Sequence, residues 1–199
     1  MDRHPQNAAM TSSTPPDTPL SEPLTFVQLW RPLVAMTLVI VVSNIAVQFP
    51  INEWLTWGAF TYPFVFLVAD LTNRAVGAQA ARRVAWLGLL PALLLSAWFA
   101  NWHIALASGT AFMLSQWMDI AVFNRWRSQS WWKAPFMGSV VASVVDTLVF
   151  FSIAFYASEM NWLTLAAGDL AMKWLMAVLL LAPYRLMLPR ISLWVPQAR

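Results

Sequence analysis

Five ionisable side chains lie within or at the edges of long apolar runs: Asp70, Asp119, Asp146, Asp169 and Lys173. A central Asp or Lys in hydrocarbon costs about 2.5–3.5 kcal/mol on insertion scales, so such groups mark binding, ion passage or mutual pairing. Asp146 stands nearest the middle of its run, where reaching water is hardest. Ser139, Ala142 and Ser143 precede it at spacings that share its helix face, with Phe150 and Phe151 beyond. A face of small and polar residues either admits a neighbouring helix closely or lines a wet cavity. Asp146 is therefore the leading candidate for contact with a solute or coupling ion; the alternative is a purely structural buried carboxylate.

Asp169 and Lys173 are four residues apart, about 40° from each other around a helix. They form either a self-neutralising pair that makes the helix insertable or a donor, Lys173, tuned by Asp169 for a ligand. Gln116 and Asp119 share another face, and Asn44 and Gln48 a third; buried amides there either staple helices together or meet a ligand. Asp70, with Arg74 at i+4, reads as a helix-end charge or a gating residue. Trp117 and Trp174 lie deep enough in their runs to stack on a planar ligand, with lipid or helix packing as the alternative.

The elements that must hold these groups are apolar runs at about 32–49, 56–73, 84–100, 103–124, 137–157 and 163–184. Each is long enough to cross about 30 Å of hydrocarbon. The chain as a whole is 59% apolar and 11% charged, against about 45–50% and 25% in soluble domains, which excludes an ordinary water-soluble globule. The expectation is an all-α polytopic membrane protein of six transmembrane helices. Residues 1–29, rich in Pro and polar side chains, form a cytoplasmic tail, residues 30–190 the membrane domain, and residues 191–199 a second short tail.

The basic residues give this count an independent test, because Lys and Arg are retained on the cytoplasmic side. Arg3 and Arg31 precede the first run; Arg74, Arg82 and Arg83 follow the second; Arg125, Arg127 and Lys133 follow the fourth; Arg185, Arg190 and Arg199 follow the sixth. The connectors around Glu53, Asn101 and Glu159 hold no Lys or Arg. The alternation predicts an N-in, C-in topology and accounts for the net charge of +3 without nucleic acid. Ten of the 13 Trp residues flank the runs, as an interfacial aromatic belt does.

Several chemistries are excluded. There is no Cys, hence no thiolate site or disulfide. There is no G-x4-G-K-[ST] phosphate loop and no G-x-S-x-G, and the two His, His4 and His103, stand in the tail and at an outer interface, so neither a His triad nor a zinc motif can be built. No cofactor is expected. An intramembrane enzyme using paired Asp residues is disfavoured, because Gly168-Asp169 lacks a G-x-G-D context and no D-G-x2-A-R run surrounds Asp70.

The residues singled out sit in strings that resemble the queuosine-precursor transporters of the vitamin uptake transporter family. The matching segments are SNIAVQFP (43–50), TWGAF (56–60), PFVFLVADLTNR (63–74), GAQAARR (77–83), QWMDIAVFNRWR (116–127), WWKAP (131–135), VVDTLVFFSIAF (144–155) and DLAMK (169–173) ahead of Pro183. They fall in five of the six runs and in two of the loops. The chain departs from the family pattern in its short third connection, about residues 100–103, and in its Pro-rich extension.

The resemblance implies import of 7-deazaguanine bases, the cyano and aminomethyl precursors of queuosine, across a bacterial inner membrane. It assigns Asp146 to the donor edge of the base, Lys173 or Gln116 to its carbonyl or cyano group, and Trp117, Phe150 or Trp174 to its plane. Asp119, Asp169 and Asn44 complete the expected binding set, with Asp70 and Arg74 in gating or helix-end roles. The implied partners are a deazaguanine base and the lipid bilayer, with a homodimer left open. The alternatives are a substrate-capture subunit that needs a separate ATPase complex, or a carrier of another small nucleobase-like solute.

Overall fold

The structure, a computed structural model, describes residues 26–99, 102–156 and 161–195. Most of the expected tail, at 1–25, lies outside the described residues, as do Arg3, Asn101, Glu159 and residues 196–199. Among the described residues all regular structure is helical, apart from one isolated bridge between Pro50 and Thr56.

Each expected apolar run contains helix, but proline and glycine divide the chain differently. Helix α1 (Phe26–Ala46) begins six residues before the expected start and carries Pro32 inside it. That proline removes one ladder hydrogen bond, yet Leu29, a turn earlier, is helical and buried. The second run is two pieces, α2 (Gly58–Thr61) and α3 (Phe64–Val76), parted at Tyr62-Pro63. Pro63 has no N–H to continue the ladder. Helix α4 (Ala78–Phe99) follows after the single residue Gly77 at φ +87, a backbone region that favours glycine. Arg82 and Arg83, expected in a loop, thus lie in the second turn of α4, because arginine is a good helix former and charge alone ends no helix.

Helices α5 (Trp102–Trp126) and α6 (Lys133–Ala154) lie close to the expected bounds. The last run is α7 (Trp162–Leu179), α8 (Leu181–Met187), a 3-10 turn (Leu188–Arg190) and α9 (Ile191–Trp194). The division at Leu180 falls three residues before Pro183, whose ring opposes the carbonyl of Leu179.

Four segments are long and apolar enough to cross a membrane: Phe26–Ala46, Ala78–Phe99, Lys133–Ala154 and Trp162–Trp194. The other two expected crossings are the broken α2–α3 pair and α5, whose 25 residues would reach about 37 Å but include Gln116 and Asp119. The most extensive helix contact is between α5 and α6. Small residues are buried along both helices, among them Ala107, Ser108, Ala111 and Ser115 of α5 and Gly138, Ser139, Ala142 and Ser143 of α6, and Gly138 lies directly against Asp119. Around this middle, α1 packs on α4, α4 on α5 and α7 on α6, and α3 touches α1, α4, α5 and α6.

Polarity runs from inside to outside. Asp70, Asp119, Asp146, Asp169 and Lys173 are buried, while Leu38, Leu94, Trp98, Leu148 and Leu186 are exposed. In water that surface would be unfavourable; in hydrocarbon it carries no cost. The molecule is a helical membrane protein.

The basic residues gather at one end of the bundle. Arg74 donates to the Arg127 carbonyl at 3.2 Å, and Arg127 to the Arg74 carbonyl at 3.0 Å and to Asn73 Oδ1 at 3.4 Å. Arg31 bonds the Leu193 carbonyl, the Arg185 guanidinium lies 4.7 Å from the Trp131 ring centre, and Arg82 and Arg83 share a surface hollow with Phe26 and Leu29. At the opposite end the connector 47–57 contains no Lys or Arg. We refer to the two as the basic end and the far end.

Candidate binding site between α6 and α7

Asp146, in the middle of α6, is 2% exposed and accepts from three directions. The Pro63 break leaves Tyr62 at the corner between α2 and α3, and its phenol donates to Asp146 Oδ1 at 2.6 Å. Ser115 of α5 donates to the same oxygen at 3.3 Å. The Lys173 ammonium of α7 meets Asp146 Oδ2 at 2.8 Å and Asp169 Oδ2 at 2.5 Å.

The third ammonium donor goes to Thr147 Oγ1 at 3.0 Å, and the Thr147 hydroxyl donates in turn to Asp169 Oδ2 at 2.8 Å. Lys173 also lies 4.9 Å from the centre of the Tyr62 ring, close enough for a cation–π contribution. Three helices and the α2–α3 corner thus converge on one closed network with two carboxylates and one ammonium. Taken at formal charge it carries −1, and each donor of the ammonium is used, as a buried charge requires.

On the far side of this network lies a narrow recess of about 20 Å³, room for little more than a water molecule. Asp146, Asp169 and Lys173 form its floor; Asn44, Ser43, Ser108 and Phe150 form part of its wall. The hydroxyls of Ser43 and Ser108 are buried without a hydrogen-bond partner, which leaves two unpaired polar groups in the recess wall. Asn44 is already engaged, donating to Ser96 Oγ at 2.8 Å and so tying α1 to α4.

The connector 47–57 closes over the mouth. Val47 and Gly58 line the recess, and a Cβ at Gly58 would come within 2.8 Å of Val47 Cβ. A Cβ at Gly168 would run into the Trp54 backbone, so glycine is what lets the connector lie against α7.

The remaining expected residues are elsewhere. Asp70, Asp119 and Gln116 are buried between α3, α5 and α6 toward the basic end. Asp119 abuts α6 at Gly138, where a Cβ would lie 2.5 Å from Oδ1. Asp70 Oδ1, Asp119 Oδ1 and both amide atoms of Gln116 are buried without a hydrogen-bond partner. Arg74 does not pair with Asp70; its Nε donates to the Tyr184 hydroxyl at 3.0 Å and its guanidinium stacks 5.2 Å from the centre of the Phe123 ring.

Trp117 is about half exposed and lies edge-on to Trp86, and Trp174 is 43% exposed. Both stand on the outer face of the bundle and line neither this recess nor the one beneath it. Both lie deep along their helices, on faces that turn away from the two recesses.

Tyr62, Thr147, Ser115, Ser43 and Ser108 were not among the expected residues. A signal existed for Tyr62, because a phenol in a buried apolar stretch needs a partner for its O–H and the following proline sets it at a corner. The hydroxyl residues carried none.

With this geometry in hand, comparison with known proteins gives a consistent result. Residues 56–101 and 95–187 match the family described as "Putative vitamin uptake transporter". The chain is 38% identical over 175 residues to the queuosine precursor transporter of Escherichia coli (strain K12), covering 73% of this chain and 79% of the relative. It is 36% identical over 154 residues to the "Probable queuosine precursor transporter" of Haemophilus influenzae, covering 64% and 66% respectively. No solved structure matches it. These relatives are named as transporters and not as enzymes. The matches span the Asp146, Lys173 and Asp70 segments together, and the chain belongs to the vitamin uptake transporter family.

Proposed function

We propose that this protein imports queuosine precursors, 7-cyano-7-deazaguanine and 7-aminomethyl-7-deazaguanine, across the bacterial inner membrane. The observation that carries the reading is the buried Lys173–Asp146–Asp169 network, which lines a narrow polar recess that must widen to admit a base, in a chain whose relatives are named for queuosine precursors. The bundle crosses six times with both termini in the cytoplasm, the basic end facing inward by the positive-inside bias. α5 and the α2–α3 pair supply the two remaining crossings.

A deazaguanine presents adjacent N–H donors and a carbonyl on one edge. One carboxylate can accept the donor pair side by side, and an ammonium can serve the carbonyl. Asp146 takes the donor edge, displacing Tyr62 or Ser115 from Oδ1, and Lys173 takes the carbonyl or cyano group. Asp169 holds Lys173 in place while it does so. The formal charge of −1 suits the aminomethyl precursor, whose amine is a cation. Phe150, in the recess wall, covers the base plane, and the free hydroxyls of Ser43 and Ser108 meet the remaining polar atoms. Asn44 acts by fixing α1 against α4. The surrounding partner is the lipid bilayer.

The test is uptake in a cell that can neither make nor import the precursors. Expression of this chain with either base supplied restores queuosine in tRNA; no restoration with either base overturns the reading. Asp146→Asn and Lys173→Ala each abolish the restoration, and normal transport by both variants would remove these residues from the site.

A further inference from the structure

Lys173 lines two recesses, and they lie on opposite sides of it. Along α7 the order is Asp169 above, Lys173 between, Ala177 and Leu180 below; along α6 it is Phe150 and Asp146 above, Ser139 and Pro135 below. The lower recess, toward the basic end, is tighter still, about 10 Å³. Its polar wall is Asp70, Ser139 and Tyr184, and Phe66 supplies a ring.

Asp70 is 2% exposed and its Oδ1 has no hydrogen-bond partner. The nearest cation along its helix, Arg74, is committed elsewhere, to Tyr184, to the Arg127 carbonyl and to the Phe123 ring. The Tyr184 oxygen accepts from Arg74, which leaves its own hydrogen to give. A bare carboxylate acceptor and a phenolic donor thus border one buried space, with an aromatic ring beside them. Asp70 Oδ1 lacks the donor that buried polar oxygens ordinarily have.

We propose that this lower recess, widened as the Lys173 network opens, is a second binding station for a solute with adjacent N–H donors, with Asp70 as its acceptor and Tyr184 as its donor. The Lys173 network is then the partition between the two stations. The solute passes from Asp146 to Asp70 when that network opens. The ligand class rests on the nucleobase reading above; the partition does not.

The absence of cysteine makes the chain its own background for thiol mapping. Ser43→Cys reports on the upper recess and Ser139→Cys on the lower. In purified protein, 7-aminomethyl-7-deazaguanine slows maleimide labelling of both reporters. Asp70→Asn, close in shape, weakens the protection of Ser139→Cys about tenfold, the scale of one hydrogen bond to a charged group, and leaves that of Ser43→Cys in place. Protection of Ser43→Cys without protection of Ser139→Cys overturns the second station while leaving the proposed substrate standing. Protection of neither overturns both.

In sealed proteoliposomes an impermeant thiol reagent added on the Ser43→Cys side fails to reach Ser139→Cys. Rapid labelling from that side, in protein with Lys173 intact, overturns the partition.

Discussion

Two buried clusters in this bundle are made of the same kinds of residue and are completed to different degrees. Between α6 and α7, Asp146 and Asp169 share Lys173 and are bonded further by Tyr62, Ser115 and Thr147. Between α3, α5 and α6, Asp70, Asp119 and Gln116 are as deeply buried and each has an atom without a partner. The difference comes from where the nearest cation can reach. Lys173 is one turn from Asp169 on the same helix and faces the middle of α6. Arg74 is equally close to Asp70 in sequence, but it stands at the end of α3, where the Tyr184 hydroxyl and the Arg127 carbonyl lie within reach. The protein's own groups close the first cluster and leave atoms of the second unpaired.

The largest test of that contrast is Lys173→Met. It strands two buried carboxylates, and breaking a buried pair by removing one partner typically costs about 3–5 kcal/mol. Unfolding of the detergent-solubilised protein shifts strongly to lower denaturant. Adding Asp146→Asn and Asp169→Asn recovers most of the loss without recovering uptake, since a neutral set no longer needs the cation. Equal stability of Lys173→Met and the parent would abolish the distinction between the clusters.

Tyr62→Phe comes next. It removes the 2.6 Å bond to Asp146 but keeps the ring beside Lys173, so the expected loss is about 1.5–3 kcal/mol, the worth of a hydrogen bond to a charged group. The same measurement on Lys173→Met/Tyr62→Phe shows a smaller increment, because groups in one network are not additive.

Much of this could be read before any coordinates, and the failures have physical causes. A charge in hydrocarbon is conspicuous, so Asp146, Asp169 and Lys173 were found by type and depth alone. A hydroxyl is not, because it can bond its own helix one turn back at little cost. Thr72, Thr110 and Ser143 do so, to the carbonyls of Val68, Leu106 and Ser139. Thr147 instead reaches across to Asp169, and the Ser115 hydroxyl lies within reach of both the Phe112 carbonyl, at 3.1 Å, and Asp146, at 3.3 Å. Spacing does not separate the two kinds. Trp117 shows the converse error, since depth along a helix says nothing about which face turns outward. The corner at Gly77 was masked by Arg82 and Arg83, whose charge resembled a loop although their helix propensity did not.

Gly138→Ala sharpens the second cluster. The added methyl would sit 2.5 Å from Asp119 Oδ1, so the carboxylate must move or α5 must part from α6, at about 1–3 kcal/mol for overpacking. Asp119→Ala removes the obstructing oxygen, and the double variant is therefore less destabilised than the sum of the two. Strict additivity, measured by denaturant unfolding, would mean that Asp119 does not fill the space above Gly138.

The smallest expected effect on stability belongs to Asp70→Asn, and its smallness is what distinguishes the clusters. Asp70 Oδ1 gives up no protein hydrogen bond when the carboxylate becomes an amide, and a neutral group is less costly to keep in a buried wall. The change in unfolding free energy is expected to stay within about 1 kcal/mol, of either sign, whereas Asp146→Asn, which weakens bonds to Lys173, Tyr62 and Ser115, costs more. Uptake should fall in both. A fall that accompanies instability in Asp146→Asn and occurs without it in Asp70→Asn separates a carboxylate that serves both fold and transport from one that serves transport alone. A large loss of stability in Asp70→Asn would mean that Asp70 has a structural partner and that the second cluster is as complete as the first.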